Sequence, residues 1–293
     1  MYELVRLTER TFYIDCPAKM GIYLLDDAGA LLIDSGNDKE AGKKVLKLLD
    51  ANGWKLTAIL NTHSNADHIG GNRLLQDRLG VPAYTAGMEA AFTKYPVLEP
   101  SFLYGGYPCK ALRNKFLMAQ PSDAREIGEW KLPDGMEILP LPGHFFAMFG
   151  IKTPDGVWFL ADCLSGENIL EKYHLAFLYD VKAYLDTLDK VETLEGDCFV
   201  PAHAPVVTDI RPLCEANRRK VHENIDMLLA ICREPLCFEE ILKRVFDHYA
   251  LTMDFNQYVL VGSTVRSYLS YLCDEQNLET QFTENRLLWR AVR

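Results

Sequence analysis

The stretch THSNADHIGGN, residues 62–72, places two histidines, an asparagine and an aspartate within six positions, and two glycines follow them. The preceding stretch, LTAILN, is apolar and predicts a buried strand, so these polar side chains lie where a strand ends. Loops at the carboxyl edge of a sheet commonly carry ligands and catalytic groups. Imidazole and carboxylate together suit zinc, and also iron or manganese. The stretch therefore predicts a metal site, with an ordinary polar loop as the alternative.

Three more metal-competent side chains also follow predicted strands. His144 stands in LPGH, Asp162 ends the apolar run VWFLAD, and His203 follows CFVPAH. With these residues, four of the seven histidines in the chain occupy such positions. The histidines at 222 and 248 fall in predicted helices and are interpreted as surface residues.

Length and composition indicate an ordinary globular protein. The chain has 293 residues, 48% of them hydrophobic and 25% charged, enough for one large core or a core with a small second domain. It shows neither a transmembrane run nor a signal-peptide pattern, which favours the cytoplasm and no membrane partner. The eight cysteines form no CxxC pair, so we expect reduced thiols. The net charge of −10 argues against a nucleic-acid partner.

The chain alternates strand and helix patterns in the order βββαβαβ and then βββαβ, which predicts an α/β fold in which one theme occurs twice. Residues 100–128 interrupt this rhythm with aromatic residues, glycine and proline, and they predict a lid-like insertion. From residue 213 the pattern changes to three helices and a hairpin with its turn at Glu284-Asn285, a winged-helix-like module. This tail has ten basic and twelve acidic residues, so we expect it to serve in packing, in homodimer formation or in closing a pocket rather than in reading DNA.

The segments HSNADH, PGH, LADC and PAHAP together resemble the metal-binding pattern of metallo-β-lactamase-fold hydrolases, which is H-x-H-x-D-H, then a distant His, a distant Asp and a last His. The resemblance covers residues 20–205. It implies a four-layer αββα sandwich with a catalytic domain at 1–212 and the winged-helix-like appendage at 213–293.

The resemblance also implies roles for individual residues. The first metal would be bound by His63 and His144, and Asp162 would bridge to the second. Asp34, which ends ALLIDSG, resembles the buried acid that orients the histidine loop; a simple turn cap is its alternative. The remaining ligands of the second metal would be Asp67, His68 and His203.

Asn65 departs from the family pattern, which has a histidine there. An amide oxygen is a poorer zinc ligand than imidazole, so Asn65 is a candidate weak ligand of the first site. Three outcomes follow, in order of preference. Two divalent ions bind despite Asn65, or one ion occupies the second site alone, or the protein binds a ligand without catalysis. Zinc is the first choice of metal, with iron or manganese as alternatives.

The function implied is hydrolysis of a small ester-type substrate, a thioester or lactone, by metal-activated water that Asp67 orients. The alternatives are an endoribonuclease or phosphodiesterase, and a non-catalytic metal or ligand sensor. Candidate pocket residues are Tyr104, Tyr107, Phe145 and His174, and core packing is the alternative for the aromatic side chains.

Overall fold

The computed structural model describes residues 2–292, and a seven-stranded sheet occupies its N-terminal half. The sheet is antiparallel from its first to its fourth strand and parallel beyond, and its strands pair in chain order. Its strands are β1 (Glu3–Arg6), β2 (Thr11–Asp15), β3 (Met20–Leu24), β4 (Gly29–Ile33), β5 (Lys55–Leu60), β6 (Ala83–Thr85) and β7 (Arg125–Glu126). The central strands are buried on both faces, as their continuous apolar runs predict.

A second sheet of four strands has the order β11-β10-β9-β8. Its strands are β8 (Glu137–Pro140), β9 (Phe149–Lys152), β10 (Val157–Phe159) and β11 (Cys198–Val200). One apolar cluster joins the two sheets, because Leu31 and Leu60 of the first pack with Phe149 and Phe159 of the second. The sheets therefore lie face to face.

Helices cover the two outer faces. They are α1 (Lys39–Asn52), α2 (Ala66–Ile69), α3 (Asn72–Leu79), α4 (Glu89–Lys94), α5 (Leu98–Tyr104), α6 (Glu167–Tyr173), α7 (Val181–Glu192), α8 (Arg211–Ile231), α9 (Phe238–His248) and α10 (Phe255–Asp274). Val45 of α1 packs on the first sheet, and Leu188 of α7 packs on the second. The predicted four-layer αββα arrangement is confirmed. No helix within residues 2–292 is long and apolar enough to cross a membrane.

The segment predicted as a lid-like insertion, residues 100–128, contains the end of α5, an irregular stretch, and β7, which pairs with β6 at the edge of the first sheet. Leu103, Leu112 and Leu117 of this segment are buried against Val259 of α10. The segment is therefore held to the C-terminal part of the chain by an apolar cluster of its own.

The C-terminal part contains the three predicted helices, α8 to α10, and a hairpin of β12 (Leu278–Thr283) and β13 (Arg286–Ala291). Its turn residues, Glu284 and Asn285, both have positive φ, as a tight hairpin turn requires. The apolar cluster of these helices is continuous with that of the second sheet. The likeness to a winged helix and the boundary at residue 213 stay predictions.

Candidate metal centre

Asp34 organises the loop that follows β5. It stands at the end of β4 with φ of 59°, and its side chain is almost fully buried. Its Oδ1 accepts a hydrogen bond from the backbone N–H of Thr62, and its Oδ2 accepts from Thr62 Oγ1, each at 2.8 Å. Oδ2 also lies 2.8 Å from Nδ1 of His68. One carboxylate thus fixes both ends of the histidine loop.

Two glycines let this loop lie directly against the connection between β4 and α1. A side chain at Gly70 would collide with the backbone of Asn37, and one at Gly71 would collide with the carbonyl of Ser35. The backbone N–H of Ser35 donates to the carbonyl of His68 at 2.7 Å. The close approach of the two backbones therefore depends on glycine at both positions.

Four histidines, His63, His68, His144 and His203, each contact an acceptor through Nδ1, which leaves Nε2 directed toward Asp162. The partners are Thr62 Oγ1 for His63 (3.1 Å), Asp34 Oδ2 for His68 (2.8 Å), the Phe177 carbonyl for His144 (3.0 Å) and the Pro17 carbonyl for His203 (3.0 Å). Because the Thr62 hydroxyl donates its proton to Asp34, it accepts from His63. These bonds place the proton on Nδ1 and free Nε2 as a metal ligand atom.

The inward atoms form two groups around Asp162. In the first, Oδ2 of Asp162 lies 3.9 Å from Nε2 of His63 and 3.6 Å from Nε2 of His144. In the second, Nε2 of His203 lies 3.3 Å from Asp67 Oδ2 and 3.2 Å from Asp162 Oδ2, and Nε2 of His68 lies 3.0 Å from Asp162 Oδ1. Three potential ligand atoms within each group lie within 4.8 Å of one another.

The charges in this centre are unbalanced unless cations enter it. Burial alone would lower the pKa of His68, but the carboxylates of Asp162, Asp34 and Asp67 raise it well above its usual value. At His203 burial again lowers the pKa, but the carboxylates of Asp162 and Asp67 outweigh burial and raise the pKa to about 10. Burial and the neighbouring charge of His68 instead lower the pKa of His63. The site therefore holds protons wherever no other cation balances the carboxylates.

The donor atoms fit divalent metal ions. Nε2 of His63, Nε2 of His68 and Oδ1 of Asp162 are buried without a hydrogen-bond partner among residues 2–292. Ligand atoms about 2.1 Å from a tetrahedral zinc ion lie roughly 3.4 Å apart, and the distances between inward atoms are close to that value. Buried polar atoms that converge in this way fit a bound ion, which would satisfy them together.

Asn65 faces this centre through its oxygen. Its Oδ1 lies 3.1 Å from Nε2 of His144, and its Nδ2 donates to Oε1 of Glu99 at 2.8 Å. Burial lowers the pKa of His144, and its proton is held on Nδ1 by the Phe177 carbonyl. Two lone pairs therefore face each other at 3.1 Å, an arrangement that a cation between them stabilises.

Two buried acids near the centre are absent from the sequence-based prediction. Glu99 begins the apolar stretch EPSFLY on α5, and burial raises its pKa well above that of an ordinary glutamate. Glu89 accepts hydrogen bonds from the backbone and hydroxyl of Ser64 and from the backbone of Ala147, so it joins the loops of His63 and His144. The only sequence signal for either residue is an isolated acid in an apolar segment, which is weak.

A cavity of about 320 Å³ opens onto the centre. Its wall is mostly apolar and comes from the β2–β3 connection, the segment after α5, and α10. The lining residues are Tyr2, Cys16, Pro17, Ala18, Gly36, Asn37, Asn65, Ala66, Asp67, Glu99, Leu103, Lys115, Phe116, Leu117, His144, Asp162, Phe177 and Leu260. The C-terminal module thus contributes Leu260 to the wall.

Four side chains that the sequence predicts for the pocket wall lie elsewhere. Phe145 is buried behind the centre, with its ring centroid 5.2 Å from that of Phe92. Tyr104 borders a separate surface groove, and the exposed Tyr107 bonds Arg113. His174 ends α6 and stacks on the ring of Tyr249. Strand-end and lid positions alone do not tell which way a side chain faces. None of the four lines the cavity described above, and a role for them in substrate binding stays a prediction.

Comparison with known proteins agrees with this architecture. Residues 22–203 match the profile of the metallo-beta-lactamase superfamily, which is more than half of the chain. The chain belongs to that superfamily. All the inward-facing histidines and acids described above lie within the matched residues.

Curated relatives match over short stretches. A hydroxyacylglutathione hydrolase from Methylococcus capsulatus is 42% identical over 59 residues, which are 20% of this chain and 23% of that protein. Another from Synechococcus sp. is 44% identical over 97 residues, 26% of this chain and 36% of that protein. The chain therefore spans about a quarter to a third of the length of these relatives.

Solved structures match over nearly the whole chain. A beta-lactamase domain protein from Burkholderia ambifaria has a TM-score of 0.74 at 16% identity, covering 99% of this chain and 94% of that one. A metallo-beta-lactamase family protein from Thermus thermophilus has a TM-score of 0.71 at 18% identity, with coverage of 99% and 98%. The likeness extends through the C-terminal helices, and at these identities it concerns the fold alone.

Proposed function

We propose that the protein is a metal-dependent hydrolase of small thioesters whose acyl or thiol part is largely apolar. The observation that carries the proposal is the convergence of Asp162 with the Nε2 atoms of four histidines beside a mostly apolar cavity, which Asp162 and His144 line. The family membership and the short matches to hydroxyacylglutathione hydrolases support the reaction type.

Two divalent ions, zinc being the first choice, would be held by the two groups of ligand atoms. Asp162 would contact both ions. The first ion would be held by His63, His144 and the amide oxygen of Asn65, and the second by Asp67, His68 and His203. Such ions supply Lewis acidity, which polarises a scissile carbonyl and makes water acidic enough to attack it at neutral pH.

Among the carboxylates of the centre, Asp67 is the most accessible to substrate and water. Its side chain is 42% exposed, against 10% for Asp162 and 4% for Asp34. It lines the cavity, and its Oδ2 lies 3.3 Å from Nε2 of His203. An exposed carboxylate oxygen at this position would accept a hydrogen bond from the attacking water, orient it and receive its proton.

The cavity favours an uncharged, apolar group over a phosphodiester. Lys115 carries the only fixed positive charge among the described lining residues, and its Nζ lies 3.2 Å from a carboxylate oxygen of Asp38. Tracking a nucleic-acid backbone needs several uncompensated cations. Apolar side chains such as Leu103, Leu117 and Phe177 would instead contact an acyl group. We therefore place ribonuclease or phosphodiesterase activity second.

A panel of substrates with metal-replete and chelator-treated protein tests the proposal. It should contain a hydroxyacylglutathione, an acyl-coenzyme A, a lactone and a nitrophenyl phosphodiester. We expect thioester hydrolysis that falls at least about 100-fold without metal and in His68→Ala and His203→Ala. His222→Ala, which removes an exposed histidine of α8, is the matched control and should retain activity within about twofold.

The outcomes of this panel separate the candidate functions. Phosphodiester cleavage without thioester cleavage would favour the nuclease alternative. If the metal-replete protein hydrolyses none of these substrates, the hydrolase proposals fail and the non-catalytic sensor is favoured. Full activity in His203→Ala would mean that the metal centre lies elsewhere.

A further inference from the structure

Glu99 is a buried acid that contacts the metal centre only through Asn65. It is 7% exposed, and its Oε1 accepts from Nδ2 of Asn65 at 2.8 Å. No other hydrogen bond to its carboxylate comes from residues 2–292. A buried carboxylate with one bond is costly, because desolvation is offset only in part. This cost indicates that the contact with Asn65 has a purpose beyond packing.

The contact decides which end of the Asn65 amide faces the first group of ligand atoms. An amide has one acceptor end and one donor end of nearly equal size, and it can rotate to exchange them. Oε1 of Glu99 accepts from Nδ2 of Asn65, and this contact holds the rotamer in which Nδ2 faces outward. Oδ1 then faces Nε2 of His144 at 3.1 Å. The opposite rotamer would direct N–H groups at the ion.

We propose that Glu99 is a positioning residue that turns Asn65 into a ligand of the first metal ion, so that the Asn65–Glu99 pair replaces a third imidazole. The inference rests on the proposed metal centre. The carboxylate also polarises the amide, because donation from Nδ2 increases the negative charge on Oδ1. An amide-oxygen ligand makes the first site harder than an all-imidazole set, and so more tolerant of manganese.

Metal titration of the full chain tests this pair. Metal-free protein is titrated with zinc, manganese and cobalt against a competing chelator, and the cobalt absorption reports ligand geometry. We expect wild-type protein to bind two ions. Glu99→Leu should lower the affinity for the first ion at least about tenfold and leave the affinity for the second ion within about twofold of the wild-type value. Glu126→Gln changes an exposed acid whose side chain accepts from the backbone N–H of Gly87, and it should alter the affinity for neither ion.

A reversed pair separates positioning from packing. Asn65→Asp alone places two carboxylates against each other and should weaken the hydrogen-bonded arrangement. Adding Glu99→Gln restores the hydrogen bond in the reverse direction, because the glutamine amide now donates to the aspartate at position 65. We expect the double variant Asn65→Asp/Glu99→Gln to bind the first ion more tightly than the single variant Asn65→Asp does. A merely structural Glu99 would give no such rescue.

The outcomes also separate this inference from the metal centre itself. Wild-type protein that binds no ion would overturn both. A folded Glu99→Leu protein that keeps its first ion within about twofold would overturn only the role of Glu99, as would unchanged binding in Asn65→Ala. If Glu99→Leu does not fold, the role of Glu99 is tested by comparing the double variant with Asn65→Asp, and equal affinity for the first ion in the two would overturn it. Wild-type protein with a single ion in the second group would likewise leave the metal centre but remove this inference.

Discussion

Nδ1 of His68 lies 2.8 Å from Oδ2 of Asp34, and both groups are buried. The same carboxylate accepts from the backbone and hydroxyl of Thr62 and so acts on His63 through that hydroxyl. Two of the inward-facing imidazoles therefore depend on one acid that does not itself reach the centre. This dependence explains how a six-residue loop can supply ligand atoms to both groups.

Asp34→Asn should weaken metal binding without removing any ligand. The amide keeps one acceptor but loses the charge that makes His68 a stronger base, so we expect a loss of affinity of about 10- to 100-fold at the second group. The measurement is competitive zinc titration of the metal-free protein. Asp50→Asn, at an exposed position of α1, is the control and should behave as wild type. Equal affinity in Asp34→Asn would show that Asp34 only caps a turn.

Metal binding should release protons and strengthen as pH rises. Without metal, the carboxylates of Asp162 and Asp67 raise the pKa of His203 to about 10 against the effect of burial, and that of His68 is also raised. Both imidazoles are therefore protonated at neutral pH, and an ion must displace these protons to bind Nε2. Affinity should rise about tenfold per pH unit for each proton displaced, until the pH reaches the pKa of His203 at about 10.

Calorimetry in two buffers of different ionisation enthalpy measures this release. We expect about one to two protons for each ion bound in the second group at neutral pH. Release of no proton would mean that His68 and His203 are already neutral, contrary to their carboxylate neighbours.

Leu260 links the C-terminal module to substrate binding. It lies on α10 and lines the cavity, so Leu260→Trp should fill space that the acyl group needs. We expect KM to rise at least about tenfold for a bulky thioester and less for a small one, while the metal content stays the same. Leu287→Trp, a similar enlargement on the exposed hairpin, is the control. Unchanged KM in Leu260→Trp would place the substrate outside this cavity.

Glu89 should matter for stability rather than for chemistry. Its carboxylate accepts from Ser64 twice and from Ala147 once, and it is fully buried. Glu89→Ala leaves these donors without partners, so we expect the free energy of unfolding to fall by about 3 kcal/mol. Urea unfolding measures the change. A loss below about 0.5 kcal/mol would show that water replaces the carboxylate.

The sequence predicts the layered architecture well because its signals are local. The apolar run ALLI becomes the buried strand β4, and the turn at Glu284-Asn285 lies where the hairpin pattern predicts it. The inward-facing histidines also follow strands, as their positions predict. Parallel strands end at one edge of the sheet, so strand-end residues meet whatever the distance between them in the chain.

The remainder of the site depends on contacts that no local pattern encodes. Glu99 meets Asn65 across 34 positions and Leu260 reaches the cavity from α10, while neither stands in a recognisable motif. Conversely, Phe145 follows His144 directly, but its side chain is buried against Phe92. Proximity along the chain is therefore a poor guide to which aromatic side chains form the pocket.

The most direct test of the central claim is anomalous diffraction from crystals of the zinc-loaded protein. Two peaks are expected on either side of Asp162. One should lie among His63, Asn65 and His144, and the other among Asp67, His68 and His203. Absence of an ion from both positions, or an ion bound by other residues, would contradict the account.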